Sequence, residues 1–263
     1  MDFGLENKVA LVAAASRGLG FAIAAELARE GASLVICSRK AASLDRAAQA
    51  IAERTGTAPA AIPADVSRPD DVARLVEAAT ARFGRIDVLV TNAGGPPAGS
   101  FESHDAAAWE SAFHLTLASV VELTRRVLPG MKERRWGRLI NVTSIAVKQP
   151  VDQLILSNSL RAAVTGFART LANEVAPFGI TVNNVLPGYT RTERIDELAA
   201  ARSAREGISA DAVRAEFERQ IPAGRLGEPD ELAALAAFLA SERAAYITGQ
   251  SIAVDGGWIR SLY

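Results

Sequence analysis

KVALVAAASRGLGFAIAAELAREG, Lys8 to Gly31, is the stretch on which the reading of the fold turns. Its first half, KVALVAAAS, is an apolar run of strand length without polar alternation, as expected of a strand buried on both faces. Its second half sets apolar residues at helical spacing and stops at Gly31. Between the two lies Ala13-Ala14-Ala15-Ser16-Arg17-Gly18-Leu19-Gly20, a tight turn from strand into helix. Glycines in such a turn let the backbone approach a pyrophosphate, and the helix N-terminus adds free N–H groups and a favourable dipole. A lone Gly-x-Gly serves a plain packing turn equally well, so the rest of the chain has to decide.

The unit repeats. SLVICS is a strand and is followed by an Ala-rich helix from about Ala41 to Arg54. AAIPADV precedes a helix from about Pro69 to Phe83, and IDVLVTNAGG precedes a long helical stretch from about Asp105 to Arg134. GRLINVTS, a helix holding Ser157 and Arg161, the strand ITVNNVLPG, a polar helical segment, a helix near Asp230–Ala240 and the strand SIAVDGG complete the order. Alternating helices and buried strands predict an α/β fold: a single-domain, doubly wound parallel sheet (Rossmann fold) with helices on both faces, spanning residues 1–263. Asp65-Val66 and Asn92-Ala93-Gly94 then fall at the carboxyl ends of strands, where an open parallel sheet binds ligands.

With 263 residues the chain can bury a large core, and a formal charge of −1 gives no basis for a nucleic-acid or acidic-membrane partner. No apolar run reaches the length of a membrane span, and the N-terminus lacks the pattern of a signal peptide. The lone cysteine, Cys37, excludes an internal disulfide and reads as a buried strand thiol. A soluble, cytoplasmic protein without a metal is expected.

These motifs together resemble the short-chain dehydrogenase/reductase family, in particular its divergent 3-oxoacyl-carrier-protein-reductase-like members. The family's Thr-Gly-x-x-x-Gly-x-Gly falls on Ala13 to Gly20, with Ala13 and Ala14 replacing Thr and the first Gly. Thr91-Asn92-Ala93-Gly94 stands for Asn-Asn-Ala-Gly, and Pro187-Gly188 for the Pro-Gly after the sixth strand. Gly224-Arg225, Glu228-Pro229, Phe238 to Ser241, Ile247 to Gln250 and Val254 to Gly257 match its C-terminal pattern. The resemblance implies a dinucleotide held by Ser16, Arg17, Gly18, Leu19, Gly20, Asp65, Val66, Asn92, Ala93, Gly94, Pro187, Gly188 and Thr192. The second strand ends Cys37-Ser38-Arg39-Lys40, without the acid that would hold an NAD ribose. Ser38 and Arg39, with Arg17 from the glycine loop, fit a 2′-phosphate, so NADP is the expected cofactor.

The chemical end departs from the family. Counting from Ser144, thirteen residues lead to Ser157 and four more to Arg161, where the resemblance implies tyrosine and lysine; Thr116 holds the position of its asparagine. The expected catalytic set is therefore Ser144, Ser157, Arg161 and Thr116, with Arg161 also a donor to the nicotinamide ribose. A serine hydroxyl is a far weaker acid than a phenol, and an arginine stays charged. Tyr189 and Lys148 are the nearest replacement donors in sequence, and both have ordinary packing or surface roles open to them. His114, about 200° round a helix from Thr116, points away.

Residues 189–223 read as a helical lid, TERIDELAAARSA and SADAVRAEFERQ, whose Arg191, Arg194, Arg202 and Arg205 serve either an anionic substrate or a solvated surface. The partner is a small-molecule substrate, free or carrier-bound. The resemblance implies a homodimer or homotetramer paired through the helices starting near Asp105 and Leu154. Two functions stay open: an NADP(H)-dependent oxidoreductase acting on a carbonyl/hydroxyl (3-oxoacyl-like) or imine-like substrate, and a retired NADP-binding regulator or scaffold. A non-redox lyase or isomerase is a third.

Overall fold

The computed structural model describes residues 2–262. In VALV, β1 (Val9–Val12), successive side chains point to opposite faces, and both sets are apolar. Ala10 and Val12 join one buried cluster, Val9 and Leu11 another, so the strand needs cover on both sides. The cover comes from α1 (Gly18–Arg29), α2 (Ala41–Thr55) and α9 (Pro229–Ala240) on one face. On the other lie α3 (Pro69–Phe83), α5 (Ser119–Arg134) and α6 (Ile155–Val175).

The remaining strands are β2 (Ser33–Ser38), β3 (Ala60–Pro63), β4 (Val88–Thr91), β5 (Gly137–Val142), β6 (Ile180–Pro187) and β7 (Ser251–Val254). They form one seven-stranded sheet in the order β3-β2-β1-β4-β5-β6-β7, and every pair is parallel. The order reverses between β1 and β4, which opens a crevice at their carboxyl ends.

Local chemistry sets the element ends. Pro69, with Asp70 and Asp71 in the first turn, starts α3, and Gly84 in the left-handed region stops it. Glu228 and Glu231 form a capping box at α9. The first strand is shorter than the nine-residue run from Lys8 to Ser16 suggests, because Ala14 turns into the left-handed region (φ 50) and leaves the ladder. The long helical stretch after β4 is also divided: α4 (Ala106–Phe113) and α5 are joined by a π-helical turn, His114–Ala118. Beyond β6, α7 (Glu193–Glu206) and α8 (Ala210–Gln220), the latter through Phe217, pack with Tyr189 and Trp258 as a third apolar cluster. Among the described residues no helix is long and apolar enough to cross a membrane.

Candidate active site

A cleft of about 780 Å³ runs along the carboxyl ends of β1, β2, β4, β5 and β6 beneath α7. Its walls include Ser16, Arg17, Gly18, Leu19, Ser38, Arg39, Asp65, Val66, Asn92, Ala93, Gly94, Ser144, Ser157, Arg161, Pro187, Gly188 and Thr192. The fold thus gathers nearly every residue expected from the sequence. Gly20 and Thr116 are the exceptions: neither reaches the wall.

Gly20 works from beneath. A Cβ there would lie 2.4 Å from the Ala14 carbonyl oxygen and 2.9 Å from Asn92 Nδ2, so α1 packs against the turn only because this residue has no side chain. Ala14 itself occupies a backbone conformation that favours glycine, which explains the cost of the alanine at this point of the motif.

At the outer end, β2 stops at Ser38, whose hydroxyl is buried and has no hydrogen-bond partner. Arg39, Lys40 and Arg46 line the same cleft, and among the described residues no ion pair neutralises any of them. A buried orphan hydroxyl in a cleft that these cations also line suits a bound phosphate. Arg46 was not expected from the sequence; it lies inside α2, eight positions from Ser38, and only the helix geometry brings it in. Arg17 is oriented differently from the expectation: its Nη2 lies 3.6 Å from Glu197 of α7. Such an exposed pair is weak, about 0.2–1 kcal/mol, and yields readily to a phosphate. Asp65 accepts from the N–H and hydroxyl of Ser67, which fixes the β3 corner.

The inner end is built on β5 and α6. Beneath it a buried ladder crosses four strands: Thr91 donates to Asn141, Asn141 to Asn184, and Asn184 to Ser251, at 2.7, 3.0 and 3.0 Å. The Ser144 hydroxyl accepts from the Ala146 N–H and so opens the following 3₁₀ turn. Ser157 is buried in the first turn of α6, one helical turn before Arg161. Arg161 Nη1 donates to the carbonyls of Val142 and Thr143, at 3.0 and 2.8 Å. The guanidinium's remaining donors carry no hydrogen bond to any described residue, and no carboxylate pairs with it. Burial, with the charge of Arg194 added, pushes Arg161 down to about 10, so it stays protonated at neutral pH.

Thr116 sits in the π-helical turn, buried, with its hydroxyl unpartnered and Leu115 in its place on the cleft wall. Of the alternative donors, Lys148 is exposed and off the wall. Tyr189 does line the cleft, but its ring stacks on Phe217 at 4.6 Å and meets Trp258 edge-on. Burial raises its pKa, which weakens it further as an acid. His114 is half-exposed and lies beside Glu110.

Most of the arginines expected on a lid are taken by their own neighbours: Arg191 pairs with Glu228, Arg202 with Glu206 and Glu216, and Arg205 with Glu206. Arg194 differs. It reaches across the cleft to donate to the Pro96 carbonyl at 2.9 Å, with Glu197 3.4 Å away.

Comparison with known proteins agrees with this geometry. Residues 13–259 match the family model described as enoyl-(acyl carrier protein) reductase. The chain is 38% identical over 253 residues to the 3-oxoacyl-[acyl-carrier-protein] reductase of Vibrio cholerae, covering 96% of this chain and 98% of that one. It is 34% identical over 262 residues to the D-beta-hydroxybutyrate dehydrogenase of Cupriavidus necator, covering 97% and 99%. The L-sorbose reductase of Gluconobacter frateurii, solved with NADPH and L-sorbose, superposes with a TM-score of 0.94 at 33% identity over the whole of both chains. An actinorhodin polyketide ketoreductase solved with NADPH gives 0.93 at 32% identity, covering 97% and 98%. From its glycine turn to its last strand, the chain belongs to the short-chain dehydrogenase/reductase family.

Proposed function

We propose that the protein is an NADPH-dependent reductase of carbonyl or imine-like compounds with an atypical proton-delivery arrangement. One observation carries the reading: a single cleft joins an end lined by the unpartnered Ser38 hydroxyl, Arg39 and Arg46 to a polar inner end at Ser144, Ser157 and Arg161. The cofactor is NADP(H). Ser38, Arg39 and Arg46 hold its 2′-phosphate, the turn from Ser16 to Gly20 holds its pyrophosphate, and the ends of β4 and β6 flank its nicotinamide. The NADPH-bound relatives support that assignment.

Bound there, NADPH would supply hydride for reduction of a carbonyl, and the proton for its oxygen would be drawn ultimately from water. The protein's part is placement and charge. Ser144 and Ser157 offer hydroxyls to the carbonyl oxygen, and the Arg161 field stabilises negative charge as it develops there. Neither serine is a good acid. General acid catalysis is worth about 10²–10⁴-fold, so a plain ketone should turn over slowly. A substrate already protonated, or one that stabilises its own negative charge, escapes that loss. The α7–α8 segment acts as a lid, and the enzyme works as a cytoplasmic homodimer or homotetramer on a free or carrier-bound substrate. Partly exposed Phe113 and Val121 support such a pairing.

Titration with both nucleotides tests the cofactor assignment. NADPH should bind at least tenfold more tightly than NADH, and Arg39→Asp should reverse the order. Equal affinities contradict it. Nucleotide binding without turnover is the second reading, favoured by the half-buried, stacked state of Tyr189 on the cleft wall.

A further inference from the structure

Arg161 presents a charge that the protein leaves unanswered. Its Nη1 is spent on two backbone carbonyls, which orient the guanidinium but carry no net charge to neutralise it. The Nε–Nη2 edge is free of protein partners among the described residues. That edge is the planar fork that grips a carboxylate through two parallel hydrogen bonds.

The acids of the cleft are all engaged or elsewhere. Asp65 is held by Ser67 at the end of β3. Glu193 lies beside Gly18, at the glycine turn. Glu197 stands between Arg17 and Arg194. Asp152 and Glu216 act on Tyr189, but neither lines the cleft. The charge that Arg161 does feel is that of Arg194, another cation. Two guanidiniums that repel across a cleft are both relieved by one anion between them. Ser157, buried and small, lines the same cleft one turn before Arg161, so no large side chain stands at that position.

We propose that the inner cleft binds an anionic substrate, an oxo acid, whose carboxylate is gripped by the free edge of Arg161 with Arg194 as a second counter-charge from the lid. The proposal deepens the reductase reading and rests on it for the reaction. A carboxylate drawn to Arg161 brings a neighbouring carbonyl to the Ser144 and Ser157 hydroxyls. Arg194 links occupancy to the lid, because it already bridges α7 and the loop at Pro96.

The probes are 2-oxopentanoate and its uncharged amide, 2-oxopentanamide, titrated by calorimetry into the full-length protein with and without NADP⁺. The acid should bind at least tenfold more tightly than the amide, a difference of about 1.4 kcal/mol. Arg161→Gln should abolish the preference, and Arg194→Gln should reduce it. Ser157→Tyr, which keeps Arg161 and blocks the approach, should also abolish it and serves if Arg161→Gln fails to fold. Equal affinities in the wild type, no detectable heat from the acid at millimolar concentration, or a preference that survives the folded Arg161→Gln or Ser157→Tyr protein would overturn the proposal. NADPH titrations on the same proteins keep the two readings apart. Failure to bind NADPH with acid preference intact removes the reductase reading alone. NADPH weakened by Arg161→Gln with the acid-to-amide ratio unchanged assigns the free edge to the cofactor's ribose and overturns the oxo-acid proposal.

Discussion

Replacing Gly20 by alanine sets two effects of opposite sign against each other. Alanine is a better helix former by about 1 kcal/mol. Its methyl carbon would, however, lie 2.4 Å from the Ala14 oxygen and 3.0 Å from the Ala14 carbonyl carbon. An ordinary carbon–oxygen approach is about 3.3 Å, so the turn must retreat by nearly an ångström. Backbone cannot swing aside as a long side chain would, and Ala14 is already in a left-handed conformation. Overpacking costs about 1–3 kcal/mol, and the long Asn92-to-Ala14 hydrogen bond is lost as well, at about 1 kcal/mol. The net is a loss of about 2 kcal/mol, or a Tm lower by about 4–8 °C for a chain of this size. NADPH binding should weaken at least tenfold, because the displaced turn is the pyrophosphate cradle. Gly94→Ala is the matched control: its Cβ would meet nothing within 4 Å, so stability should stay within about 0.5 kcal/mol while the methyl intrudes on the nucleotide. Thermal unfolding and NADPH titration of both variants read the outcome. Wild-type stability in Gly20→Ala would show that the turn yields easily and that the close-packing account is wrong.

Three further outcomes are expected. Ser157→Tyr combined with Arg161→Lys should raise NADPH-dependent reduction of a neutral activated ketone about 10–10³-fold, each single change giving less, since the pair restores a phenol beside a lysine; a slower double variant would mean that Ser157 and Arg161 belong to a different working mechanism. The preference for an acid over its amide should be flat through neutral pH and fall as pH rises through about 10, because burial has lowered Arg161 to that value and only its protonated form attracts the carboxylate; a preference unchanged well above that pH would argue against Arg161 as the counter-ion. Cys37, fully buried and pushed up to about 12, should resist thiol reagents at pH 8 in the native protein and react on unfolding, and rapid native labelling would show that β2 opens.

Much of this architecture was legible in the order of apolar runs. Strands buried on both faces show no polar alternation, and the apolar runs from VALV to SIAV all became strands of one parallel sheet, the edge strands β3 and β7 being only partly buried. The cleft was legible for the same reason: parallel strands bring their carboxyl ends to one edge. What the sequence concealed depends on three-dimensional reach. Arg46 and Ser38 line one cleft because α2 folds back over β2, which no local motif announces. Arg17 turns toward Glu197, 180 positions away by number, because α7 comes down on the glycine turn. The π-helical turn at His114–Ala118 shifts the helix register, leaving Leu115 rather than Thr116 on the wall. The two carbonyls that fix Arg161 are backbone groups, and a sequence does not display those.

Turnover is the claim on which the account stands, and isotope transfer tests it most directly. The protein is incubated with NADPH carrying deuterium at the transferable nicotinamide C4 position and with 2-oxopentanoate, and the products are examined by mass spectrometry. The expected product is 2-hydroxypentanoate bearing one deuterium on the former carbonyl carbon, formed in step with NADP⁺. Tight binding of NADPH with no deuterium reaching any of a series of oxo acids, ketones or imines would contradict it and leave a nucleotide-binding protein without redox turnover.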